Sequence, residues 1–211
     1  DDEINGNIKK NSSIKREWIS EASAHDGIAI LCGSGPSIRD HVDDIRAWQQ
    51  TGAKVFALNG AARFLAAHDI HPDYQVLLDA RDKTAVLIGP AKEHLFASQV
   101  APRCFERVPT AKLWHLQVEG LDDLLPDEYP AHSEVGGACS VVNTTTCLAY
   151  VMGYRNIHCY GYDSSHRDGK SHVMHQSIND GEPQTTVNYK GKTYRASLTM
   201  KSQAEGFPKT A

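Results

Sequence analysis

The chain alternates between short apolar runs and segments whose apolar residues recur at helical spacing. The run "GIAILC" is short and continuous, as in a strand buried on both faces. Behind it, Ile38, Val42 and Ile45 are spaced along one helical face and Gly52 stands as a stop, so strand, turn and helix follow in order. The pattern then repeats. "KVFALN" reads as a second strand, "GAARFLAAHD" as a helix with Phe64 and Leu65 inward, and "DYQVLLDA" as a third strand after the turn at His71 and Pro72. Strands separated by helices in this way pair in parallel through right-handed crossovers. The predicted fold is α/β and Rossmann-like, a mostly parallel sheet with helices on both faces.

Further on, "ASQVA" and "KLWHLQ" are predicted strands, and the Asp/Pro-rich "GLDDLLPDEYPAHSE" is predicted to be an irregular surface segment. After "EVGGA", Val141, Thr145, Leu148 and Met152 trace one helical face that Gly153 ends. In "NIHCYGYD", Ile157 and Cys159 alternate with His158 and Tyr160 as in a strand. Ser164 to Pro183 is polar and long for a loop, which predicts a functional or mobile segment. "TTVNYKGKTYRAS" reads as a C-terminal β-hairpin turning at Lys190, Gly191 and Lys192. "LTMKSQAEGFPKTA" begins a helix and stops where such a sheet would continue, so the chain reads as lacking a final helix and strand. At the other end, residues 1–26 read as a polar leader packed on the domain surface, carrying a short helix around Ile14 to Ala22 and no chemistry. Residues 27–211 then form a single domain.

Composition narrows the function. With 211 residues and 40% hydrophobic content the chain can bury a substantial core, and a net charge of -4 supplies no global basic field for nucleic acid. No apolar run approaches the length of a membrane span and no signal-peptide pattern opens the chain, so a cytoplasmic protein without a membrane partner is expected. The five cysteines form no C-x-x-C pair and most sit in apolar runs, as small core hydrophobes do. Homo-oligomerisation is left open.

The candidate chemistry collects at one place. Gly33 to Ser37, Asn59, Asp79 with Arg81 and Asp82, Gly136 with Gly137, and Asp163 all follow the carboxyl end of a predicted strand, the edge where open α/β sheets bind ligands. In "CGSGPSIRD", Gly33 and Gly35 admit a close ligand approach, Ser34 lies between them, and Pro36 and Ser37 open a helix whose free N–H groups suit a phosphate. The stretch has neither the third glycine of a dinucleotide fingerprint nor a P-loop lysine, so a bare structural corner stands beside the phosphate cradle. Asn59, followed by Gly60, reads as helix cap, ligand contact or both. Asp79 and Asp82 offer oxygen ligands for Mg²⁺ beside a diphosphate, or Asp79 a hydrogen bond to ribose or base, or a turn pairs Asp79 with Arg81. Gly136 and Gly137 precede a second donor-rich helix start with Ser140 as cap. In the loop, His166, His172 and His175 match no standard zinc spacing, but one of them could take a proton from an acceptor hydroxyl.

Together "ILCGSGPSI", "FALNGA", "PDYQVLLDARD" and "EVGGACSVVNTTTCLAYVMGYRNIHCYGYDSSHRDGKSH" resemble the 6-hydroxymethylpterin diphosphokinase MptE-like family, in a form found in bacteriophage and prophage proteins. That family is itself similar to motility-associated-factor glycosyltransferases and, more distantly, to sialyltransferases that use CMP-sialic acid. The resemblance implies that Gly33, Gly35, Pro36 and Ser37 correspond to a nucleotide-phosphate loop, with Ser34 where the relatives often have Asn. It places Asn59 near the nucleotide and Gly136 and Gly137 in a second glycine turn. It also implies a base among the histidines after the "G-x-D" strand that ends at Asp163. The expected activity is a nucleotide-dependent transfer to a hydroxyl of a small-molecule acceptor, either pyrophosphoryl transfer to a pterin-like alcohol or glycosyl transfer from a nucleotide sugar, with Mg²⁺ needed by the former. A non-catalytic nucleotide-binding or phage assembly module is the alternative.

Overall fold

A computed structural model describes residues 2–128, 134–137 and 140–206. Its centre is a seven-stranded, wholly parallel sheet in the order β6-β5-β4-β3-β2-β1-β7. The strands are β1 (His25–Cys32), β2 (Lys54–Leu58), β3 (Tyr74–Leu77), β4 (Glu93–Ala97), β5 (Lys112–Leu116), β6 (Glu134–Val135) and β7 (Tyr154–Tyr160). From β1 to β6 each new strand is added on the same side. The helix α5 (Val141–Val151) then crosses the sheet to place β7 against the far edge of β1. The order therefore reverses at β1, which makes the β1–β7 junction the topological switch point.

Alternation along the inner strands explains the two cores. Ile30 and Cys32 of β1, with Val55 and Ala57 of β2, pack on Ile45 of α2 (Val42–Gln50) and on Phe64 and Leu65 of α3 (Ala61–Ala66). Ala29, Leu31, Phe56 and Leu58 face the other way, into a larger cluster with Leu148 and Ala149 of α5 and with Cys104 and Phe105 of α4 (Pro102–Arg107). The expected sheet, covered on both faces, is present. So is the hairpin of β8 (Gln184–Tyr189) and β9 (Lys192–Ser197), whose turn residues Lys190 and Gly191 have φ of 48° and 75°, followed by α6 (Leu198–Gly206). Two positive φ values match the twist of a tight hairpin. Among the described residues, no helix is long and apolar enough to cross a membrane.

The structure differs from expectation at three places. The helix lies at α1 (Asp2–Ser12), not at Ile14 to Ala22, where the chain is extended: the Leu113 amide donates to Glu17 O at 2.8 Å and the Ile19 amide to Leu113 O at 2.8 Å. These bonds pair the stretch of β5 that the short β6 leaves uncovered, and satisfying that edge outweighs local helix propensity. Second, "ASQVA" is not a strand: β4 ends at Ala97, and Ser98 to Val100 turn inward because Asn11 of α1 donates to Ser98 O (2.8 Å) and Val100 O (2.7 Å). Third, the segment after Gly35 starts as a 3-10 turn, Pro36–His41, before α2. The N-terminal residues are bound into the domain, with Ile8 and Asn11 buried and Ile19 in the larger core. Of the expected irregular segment, 119–128 is irregular apart from the 3-10 turn Asp122–Leu124, and 129–133 lie outside the described residues.

Candidate functional site

At the switch point the loops after β1 and β7 meet backbone to backbone. The Gly33 amide donates to Tyr160 O at 2.8 Å, and the Gly35 amide to Gly161 O at 3.0 Å. A Cβ on Gly33 would lie 2.5 Å from the Gly161 carbonyl oxygen, and one on Gly161 would lie 2.5 Å from that of Gly33. A Cβ on Gly35 would collide with the Asp163 carboxylate, which accepts the Ser37 amide at 3.0 Å. Pro36 is buried as the first residue of its turn. Close packing thus accounts for both glycines of "CGSGPS", and the anion at its helical start is the chain's own Asp163. Ser34 reaches the histidine loop through its carbonyl, which accepts the Val173 amide at 2.8 Å.

Further along the same edge lies a cavity of about 380 Å³, within the range of small-molecule sites. Asn59, Asp79, Arg81 and His172 converge on it together with Ser140 and Val141 at the start of α5. Asn59 follows β2 in the left-handed region, φ 49°, and its side-chain oxygen is buried without a partner among the described residues. Such a conformation costs free energy for a residue with a Cβ, and an unpaired buried amide oxygen costs more. Ser140 caps α5 by accepting the Asn143 amide at 3.3 Å, leaving the Val141 and Val142 amides at the helix start.

Arg81 ties the end of β3 to the loop. Its guanidinium grips Asp79 and donates to Ile178 O at 3.0 Å, and the pairing with Asp79 raises its pKa, aided by Glu182 and Glu3. These are the cavity's ionisable walls apart from His172: three carboxylates around one guanidinium. Asp79 and Asp82 do not form a cation pair. Asp79 is engaged by Arg81, whereas Asp82 lies outside the cavity and pairs with Arg103 at 3.2 Å. Among the described residues no group of three or more His, Cys, Asp or Glu side chains is placed to hold a metal ion, and Asp79 and Asp82 do not meet at one point.

The three loop histidines separate. His172 alone lines the cavity; burial, then neighbouring His166, lowers its pKa to about 4, so the ring is neutral at pH 7. Its Nδ1 lies 2.9 Å from Ser171 Oγ, and the Asn179 amide nitrogen faces Nε2 at 3.5 Å. His175 is turned outward and pairs with Asp180 at 2.8 Å. His166 is held by its backbone amide to Arg195 O at 2.7 Å, and burial followed by the charge of Arg195 lowers its pKa. Gly60 packs against Gln176 and Gly137 against Thr144, while Gly136 stands open; none of these glycines lines the cavity.

Several lining residues carry no motif: Glu3 and Ile4 from α1, Gln176 and Asn179 from the loop, and Thr199 and Gln203 from α6. A signal for the first pair does exist. Asn7 and Asn11 are spaced one helical turn apart, and the Asn7 amide donates to Ala80 O and Gln99 O, both at 3.0 Å, so α1 clasps the ends of β3 and β4.

Comparison with known proteins agrees with this architecture. The solved structure of the MAf glycosyltransferase from Magnetospirillum magneticum AMB-1 superposes with a TM-score of 0.76 at 22% identity, covering 99% of this chain and 34% of that one. The likeness is one of fold, and the chain spans about a third of that protein. No curated protein matches. The model of the family described as 6-hydroxymethylpterin diphosphokinase MptE-like matches residues 3–169. On that match, the chain belongs to the MptE-like family.

Proposed function

We propose that the protein is a group transferase that binds a nucleotide-activated donor in the 380 Å³ cavity and delivers the activated group to an acceptor hydroxyl. The observation that carries this reading is the convergence of an unpartnered Asn59 oxygen, the α5 start and a neutral His172 at the carboxyl edge of the sheet. Asn59 can accept from a base or ribose. The α5 amides can hold a phosphate oxygen, with the helix dipole favouring its charge.

In the step itself, the acceptor oxygen bonds to the electrophilic atom of the donor as the bond to the nucleotide phosphate breaks, and the acceptor proton passes to His172. The Asn179 amide nitrogen facing Nε2 and the Ser171 hydroxyl facing Nδ1 suit the tautomer with its proton on Nδ1, in which Nε2 is the accepting nitrogen. A pKa of about 4 by itself makes the His172 ring a poor base. An anionic donor beside the ring favours its protonated form and moves it toward neutral pH. Three carboxylates around an already engaged guanidinium favour the least charged donor, so a nucleoside monophosphate sugar suits the cavity better than ATP.

Thermal-shift measurements with CMP, UMP, UDP and ATP test the reading, since a ligand of the native state raises Tm by mass action. A nucleoside monophosphate should raise Tm, and Asn59→Ala should abolish the shift. His172→Gln should keep it while transfer to any active acceptor falls by about a hundredfold or more. If none of the four shifts Tm, the donor site is refuted; binding with transfer unaffected by His172→Gln removes the base.

A further inference from the structure

Behind the first cavity lies a second, of about 190 Å³, bounded by Asn143 of α5, Asp163 and Ser164 after β7, and Ala204 of α6. Gln203 borders both cavities and stands between them. Its carbonyl accepts the Asn143 side-chain amide at 3.2 Å, and its own side-chain oxygen accepts Ser164 Oγ at 3.5 Å. Asn143 is 1% exposed, yet its Oδ1 has no partner among the described residues. Ser164 adopts φ 45°, a strained value for a residue with a Cβ. An orphaned buried acceptor and a backbone outlier beside one cavity are features that a ligand would repay.

We propose that this second cavity is a subsite for a hydroxyl-rich, uncharged ring of the size of one monosaccharide, and that Gln203 is the partition between it and the donor cavity. Its polar groups decide the chemistry. Asn143 Oδ1 and Asp163 are acceptors, Asp163 having one oxygen on the Ser37 amide, so the occupant must bring O–H donors. A carboxylate or phosphate would meet Asp163 as a like charge, and the volume is below that of sites that take whole nucleotides. Naming the occupant as the transfer acceptor rests on the function proposed above; the subsite itself does not.

Saturation-transfer NMR with galactose, glucose and N-acetylglucosamine at millimolar concentration tests it, beside the Tm shift with CMP. At least one sugar should bind the wild type. Ala204→Trp, at an exposed position on the cavity wall, should weaken that binding at least about tenfold while leaving the CMP shift unchanged. Should the tryptophan variant fail to fold, Ala204→Leu fills the same space and carries the same expectation. Absence of all three sugars, or binding indifferent to the Ala204 variant, overturns the subsite even where CMP binds. Sugar binding lost in the variant without any nucleotide shift keeps the subsite and removes the donor reading.

Discussion

Protonation of His172 should set much of the acid sensitivity of the fold. The ring lies against the loop and the cavity wall, and burial followed by repulsion from His166 lowers its pKa to about 4, against 6.5 for an ordinary histidine. A histidine depressed in the folded state is neutral in both states at pH 7.5 and costs nothing there. Between pH 6.5 and 4 the unfolded chain binds a proton that the native protein excludes, so stability falls as pH falls, at up to about 1.4 kcal/mol per pH unit. By pH 5 the deficit attributable to this residue is about 2 kcal/mol, a large fraction of the stability of a typical domain. Urea unfolding of wild type and His172→Gln at pH 7.5, 6, 5 and 4.5 reads this directly. Acid titration of groups remote from the ring, His115 among them, is common to both proteins, so the difference between the two curves reports the ring together with its repulsion from His166. It should be flat above pH 7 and shift by about 2 kcal/mol in favour of the variant by pH 5. Parallel curves would show that the imidazole is hydrated in solution and would undercut its place in the cavity wall. Addition of a nucleoside monophosphate should reduce the wild-type slope by raising the pKa of the ring.

Three further outcomes follow from packing and charge. Asn11→Ala removes two buried hydrogen bonds that hold α1, to Ser98 O and Val100 O, and should cost about 2 kcal/mol in urea unfolding while raising hydrogen exchange in residues 2–12. Gly35→Ala drives a Cβ into Asp163 and to within 2.5 Å of the Gly161 carbonyl, and should lower stability by about 3 kcal/mol, read as a fall in Tm, whereas an alanine at open Gly6 should not. Burial opposes ionisation of Asp73, but Lys92, the Val55 amide and Lys54 outweigh it and hold its carboxyl below the usual range. That stabilisation is present above the unfolded value near 4 and is lost as pH falls through the folded value, so Asp73→Asn should destabilise by about 1–3 kcal/mol at pH 7 and by less at pH 3.

Much of the sheet was legible because β1, β2, β3, β5 and β7 are written as apolar or alternating runs bounded by Gly, Asn or Pro. Residues 14–22 misled because their backbone pairing depends on how little of β5 the two-residue β6 covers, a tertiary fact with no local period. The site divides in the same way. Asn59, Asp79, Arg81 and His172 could be placed from strand ends and one polar loop, and they share the cavity. Gly33, Gly35 and Ser37 could not be sorted between cradle and corner, since the deciding group, Asp163, arrives from a distant strand end. Glu3 and Gln203 belong to α1 and α6, mostly polar helices whose docking the sequence pattern does not specify.

The mutual blockade of Gly33 and Gly161 decides which part of this edge can tolerate change. With the crevice there filled by main chain, a side chain in that seam has nowhere to go, and the open space along this edge lies to one side, in a cavity to which residues 172–203 contribute just under half of the lining. That share of the lining lies beyond residues 3–169, the stretch the family model matches, whereas the rest lies within it. Substitutions in residues 172–203 can therefore reshape that space while the parallel sheet beneath stays unaltered.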